Sequence, residues 1–252
     1  MRPRIAIAVA ALAMFPLLPA CDNQSGPSSA TNAATQARSS PPPAQLPAAP
    51  EPARAPDIVV DAANVSVGTE RVPARELGLG DKVAVLLKDR PAVEGRTVDV
   101  VAMRNARPSA VVDVVGALQR AGAVGAGVKT EARDGTTQRL ALSSAPTVPD
   151  CTTVAWIAKD GAIDVWPAGG GRAKRIVKGL AGPDMTLGGD AVHARAGLCN
   201  APEIVAGADD ALSWGLVFDL ATASLRELGA PASAARLVSH PTPGRKVILN
   251  ER

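Results

Sequence analysis

The sequence predicts an α+β protein built from two similar two-layer αβ units, each with helices packed on a small mixed sheet. Three observations lead there. Short runs rich in Val and Ile alternate with longer stretches whose apolar residues recur every three or four positions. The order of those elements over residues 57–145 returns over residues 146–252. Two turn signals, Asp134-Gly135 and Asp160-Gly161, each sit between strand-like runs.

The chain opens with Arg2 and Arg4, then an apolar run over residues 5–18, then Ala20 before Cys21. That layout is an export signal with a lipoprotein processing site. The apolar run is also shorter than the roughly 20 residues a bilayer crossing needs. The expectation is removal of residues 1–20 and a lipid on Cys21, and the alternative is an ordinary secretory signal with a chance cysteine at the cut. Asp22 follows Cys21. In many double-membrane bacteria an aspartate there retains a lipoprotein in the inner membrane, which would leave the chain facing the periplasm. Residues 21–56 are rich in Ser, Ala, Pro, Gln and Thr and read as a lipid-anchored disordered linker, because so little apolar surface cannot offset the entropy of ordering.

The first unit, residues 57–145, begins with two short strands at 58–60 and 64–68. A helix is predicted over 80–88, with Val83, Leu86 and Leu87 inward, and Pro91 stops it. Residues 97–103 read as a near-continuous apolar strand. Pro108 opens a second helix at a favoured early position, Val111, Val112, Val115 and Leu118 share one face, and Gly122 ends it. Strands follow at 127–132 and 137–142 across Asp134-Gly135. The second unit, residues 146–252, starts with a hairpin, 152–158 and 162–166, around Lys159-Asp160-Gly161. Residues 203–208 form a short apolar strand. Asp209 and Asp210 read as caps for a helix carrying Trp214, Phe218, Ala221, Leu225 and Leu228. Closing strands are expected at 236–239 and 246–249. Residues 167–202 match the first unit worst: they are glycine-rich and their helix is hard to see.

Composition narrows the function classes. Losing Arg2 and Arg4 with the signal lowers the formal charge from +3 by two, so no electrostatic case for nucleic acid remains. Residues 122–130 glance at a phosphate loop, but Val128 stands where glycine must precede the lysine, so no nucleotide is expected. No serine sits in a Gly-x-Ser-x-Gly elbow, and His193 and His240 both read as surface residues. Glu203 and Asp209 flank one strand and lie some 20 Å apart if it is extended, too far for shared acid–base work. The expectation is a protein with no catalytic residue, no cofactor and no metal. Cys151 and Cys199 read first as a disulfide in an oxidising compartment. Free thiols and a metal site with His193 are the alternatives. Of the three tryptophans, Trp214 shares a helical face with Phe218 and reads as core. Trp166, just before Pro167 and the Gly169-Gly170-Gly171 loop, is the candidate for an exposed contact surface.

The hairpin at 156–163, the strand at 204–210 and the helix from Phe218-Asp219-Leu220 to Leu228-Gly229-Ala230 resemble the periplasmic domain of the ExbD/TolR biopolymer-transport family. Residues 97–128 resemble the same strand–helix–strand core. The resemblance implies a domain that dimerises and engages envelope proteins or peptidoglycan. Family members have a transmembrane helix whose aspartate takes part in proton-driven work, and this chain has a cleaved signal in its place. The implied role is therefore a non-catalytic interaction or scaffold module in the cell envelope, accessory to transport or envelope integrity. A ligand-binding protein using a cleft between the units, for peptidoglycan fragments, is the second reading, and an envelope hydrolase the third.

Overall fold

The computed structural model describes residues 57–88, 90, 92–143, 148–149, 151–196, 203–228 and 235–249. The segments expected to be signal and linker, with Cys21, Asp22 and Cys199, lie outside the described residues. Those described form an α+β fold with a mixed sheet and several helices.

In chain order the first half comprises β1 (Ile58–Val60), β2 (Asn64–Val67), β3 (Glu70–Pro73), α1 (Leu79–Lys88), β4 (Thr97–Ala102), α2 (Pro108–Arg120), β5 (Gly125–Glu131) and β6 (Thr137–Ser143). The second comprises β7 (Thr153–Ile157), β8 (Ile163–Pro167), β9 (Lys174–Ile176), α3 (Met185–Ala196), β10 (Ile204–Ala208), α4 (Trp214–Leu228) and β11 (Ala235–Leu237). All the strands join one sheet, in the order β3-β2-β1-β4-β5-β6-β11-β10-β7-β8-β9. Read inward from either edge, each half has the same arrangement: an antiparallel three-strand ribbon (β3-β2-β1, β9-β8-β7), then two further parallel strands (β4-β5, β10-β11). The antiparallel hairpin partner β6 closes the first half and pairs in parallel with β11 of the second, Leu142 opposite Ala235. Equivalent strands of the two halves therefore run in opposite directions, as a two-fold axis normal to the sheet would place them.

Most of the core is one cluster between the sheet and its helices, from Val83 and Leu87 on α1 and Val111, Val114 and Leu118 on α2 to Val192 on α3 and Val217, Phe218 and Leu220 on α4. Each fully buried Val or Leu contributes about 1.5–3 kcal/mol by leaving water. The opposite sheet face differs between halves. β4 alternates inward Val98, Val100 and Ala102 with more open Thr97, Asp99 and Val101. By contrast β7 and β10 are buried throughout, because Trp156, Trp166, Val205, Val238 and Val247 form a second cluster behind them.

Four differences from the sequence reading stand out. β3 and β9 are extra strands, short and at the two edges of the sheet. α3 fills the stretch that matched worst, and Gly188-Gly189-Asp190 is helix there. A Cβ on Gly188 would lie 2.9 Å from Ile163 Cδ1 and 3.0 Å from Leu220 Cδ1, so the glycine lets α3 press against β8 and α4. Residues 246–249 are not a strand. Their chain runs behind the sheet instead, with Val247 donating its N–H to the Ala168 carbonyl at 2.8 Å.

Candidate functional site

The seam between the halves is filled rather than open. Trp214 is fully buried there, its ring tilted against Phe218 at 6.5 Å, and its indole N–H donates to Thr130 Oγ1 of β5 at 2.8 Å. The two helix starts cap each other across the seam. Arg107, at the N-cap of α2, gives that helix no side-chain cap bond. Asp210, from the loop before α4, supplies it: its Oδ1 accepts from the Ser109 N–H at 3.0 Å, and its Oδ2 accepts from Arg107 Nη2 at 2.9 Å. In return the Ala106 and Arg104 carbonyls accept from the Trp214 and Gly215 N–H groups, each at 2.8 Å, at the start of α4. Those donors have no partner within their own helix. Arg104 then lies across Gly215, where a Cβ would meet its guanidinium at 3.0 Å, and reaches Asp219 at 2.7 Å. Arg133, from the β5–β6 turn, reaches the same Asp219 oxygen at 2.7 Å. Bonding to Asp219 raises the Arg104 pKa, so the guanidinium stays charged. Every charge in this cluster serves the join.

A concavity that offers cations to solvent lies elsewhere, at the outer edge of the second half. Gly170 and Gly171 adopt φ of 96° and 139°, which favours glycine, and turn the chain out of β8. The Gly171 N–H donates to the Gly244 carbonyl at 2.8 Å, which ties this turn to the C-terminal segment. The chain returns as edge strand β9, and α3 runs back beside it. Arg172, Ala173, Lys174 and Arg175 from the turn and strand, with Arg195 from the end of α3, line a groove of about 380 Å³. Arg175 is fixed: Nη1 donates to Asp164 at 2.7 Å and Nη2 to Asp160 at 2.6 Å. Asp160, whose Oδ1 also accepts from the Ala162 N–H, is held below the usual carboxylate range by that bond and by Arg175. Arg172, Lys174 and Arg195 are exposed and have no carboxylate partner among the described residues. The basic run from Arg172 to Lys178 was visible in the sequence; its convergence with Arg195, on a helix that is hard to see there, was not.

The residues singled out from sequence are scattered. Trp166 is a correction: it is fully buried, its Nε1 donates to the Arg245 carbonyl at 2.9 Å, and it offers no contact surface. Cys151 is disulfide-bonded. Its expected partner, Cys199, and the expected lipidation position, Cys21, lie outside the described residues. His193 is exposed on α3. His240 is largely exposed, at a φ of 52°, with Nε2 3.7 Å from Asp210 Oδ2. Glu203 accepts from Arg236 at 2.6 Å, and Asp209 accepts from the Ala211 N–H at 2.9 Å. Asp209 and Asp210 are a further correction: the first closes a local turn and the second caps α2, not α4. Among the described residues no group of His, Cys, Asp or Glu could hold a metal ion, and no helix is long and apolar enough to cross a membrane. No family model, curated protein or solved structure matches this chain.

Proposed function

We propose that this chain is a non-catalytic cell-envelope lipoprotein acting as an interaction or scaffold module, accessory to a biopolymer-transport or envelope-integrity complex. In this reading a single ExbD/TolR-like unit has been duplicated, and the two covalently joined halves stand in for a homodimer. What supports it is the single sheet in which two halves of like strand order run in opposite directions, the relation that a two-fold axis gives two copies, with β6 inserted between them. The lipidated N-terminus would hold this platform at the periplasmic face of the inner membrane.

The test is recovery of the full chain from membranes with its neighbours cross-linked. The expected result is an intact mass that begins at a lipidated Cys21, one copy per complex, and co-isolated envelope proteins. Retention of residues 1–20 on a bare Cys21, or self-association into a stable dimer, overturns it. The groove at β9 favours a second reading, a ligand-binding module for an envelope ligand, with the ligand taken at the outer edge and not between the halves.

A further inference from the structure

We infer that the groove formed by Arg172, Lys174, Arg175 and Arg195 is an anion site that takes a phosphate group, either free or on a lipid headgroup. The inference rests on the ligand-binding reading and names the chemistry of its ligand. At about 380 Å³ the groove falls within the size range of small-molecule sites.

Its charge is uncompensated by design of the surrounding elements. Asp160 and Asp164 both hold Arg175, which leaves Arg172, Lys174 and Arg195 facing solvent without a carboxylate partner among the described residues. A free phosphate or phosphate monoester carries about −1.5 to −2 at neutral pH, so it balances such a cluster better than one carboxylate does, whereas the singly charged diester of a lipid headgroup gains from the many anionic headgroups around it. Arginine forks also match phosphate oxygens two at a time. Cations along an edge strand can serve only to discourage pairing with another sheet. That purpose accounts for Lys174 and Arg175, which are on β9. It does not account for Arg172, which precedes the strand, or for Arg195, which comes from α3 and converges on the same concavity. Arg175, braced by two carboxylates, gives the site one pre-positioned wall.

The experiment uses the full chain at low ionic strength, titrated by calorimetry with inorganic phosphate and with a carboxylate-bearing peptidoglycan fragment. Flotation compares phosphatidylglycerol-containing vesicles with phosphatidylcholine vesicles, so the lipid anchor contributes equally to both. The variant combines Arg172→Gln, Lys174→Gln and Arg195→Gln, all exposed positions. A control combines Arg71→Gln, Arg75→Gln and Lys88→Gln, exposed residues of the first half that remove the same charge. The expected result is saturable phosphate binding, or preference for the anionic vesicles, weakened at least about tenfold in the groove variant and unchanged in the control. Binding of free phosphate alone assigns a soluble ligand, and vesicle preference alone assigns a headgroup. Equal losses in both variants, or neither form of binding, overturn the phosphate site. Groove-dependent binding of the peptidoglycan fragment alone also overturns it, while leaving the ligand-binding reading intact.

Discussion

Asp210 shows how one side chain can act far from its own element. Its carboxylate satisfies an amide at the start of α2 and pairs with Arg107, both more than a hundred positions earlier in the chain. Asp210→Ala should cost about 1 kcal/mol, the usual value of a lost cap, read as a lower urea midpoint with unchanged slope. Asp99 makes a different point on the open face of the first half. Partial burial pushes its carboxyl up, but the hydrogen bonds and attraction of Lys129 and Arg139 outweigh burial and hold it below the usual range. Arg139 reaches it across Gly127, where a side chain would block the guanidinium. A carboxyl lowered on folding adds stability above its unfolded pKa of about 3.9 and loses it as pH falls through the folded value. Asp99→Asn should therefore flatten the acid side of the stability–pH curve below about pH 4, with a neutral-pH loss under about 1 kcal/mol for so exposed a pair. Residue types were legible in the sequence, but their partners were not. Asp-Asp before a helix reads as a local cap because only near neighbours are visible there. Trp166 beside Pro167 and three glycines reads as exposed because its cover, Arg245, comes 79 positions later.

At the scale of elements, the strands and helices with a strong period were readable: β4, α2, the β7–β8 hairpin and α4 all lie within a few residues of their expected bounds. α3 was not, because it buries Gly188, Gly189, Ala191, Val192 and Ala196 in place of large apolar residues, so it leaves little helical periodicity to find. β3 and β9 were missed for another reason. An edge strand pairs on one side only, and short segments such as Glu-Arg-Val-Pro and Lys-Arg-Ile carry too few buried positions to show an alternation. The small residues of α3 have a measurable role. Gly188→Ala should destabilise by about 1 kcal/mol, because the crowding against Ile163 and Leu220 outweighs the helix propensity gained. Gly116→Ala in α2 meets only the end of Arg120 at 3.5 Å and should stabilise by about 0.5–1 kcal/mol. Thermal melts of the two variants should move in opposite directions.

For the whole molecule, an α+β fold with a mixed sheet was legible in the sequence, but the way the halves meet was not, since neither the reversal of direction nor the β6–β11 contact leaves a pattern within a half. The join rests on Trp214, the reciprocal caps and Asp219, whose side chain is only 12% exposed and serves both Arg104 and Arg133. Asp219→Ala removes the shared carboxylate from two guanidinium groups that are 31% and 66% exposed, and should cost about 1–2 kcal/mol in denaturant melts, a loss that shrinks as salt is raised. The placement of β11 has a consequence for how the molecule is made. It is seventh across the sheet yet follows every other described strand along the chain. During synthesis ten strands leave the ribosome before it, and until residues 235–237 arrive β10 keeps a row of bare amides and carbonyls and β6 lacks its partner at Leu142. A polypeptide halted shortly before Ala235 would thus carry a raw border ready to stick to its neighbours, and quality control should meet it as an aggregating species.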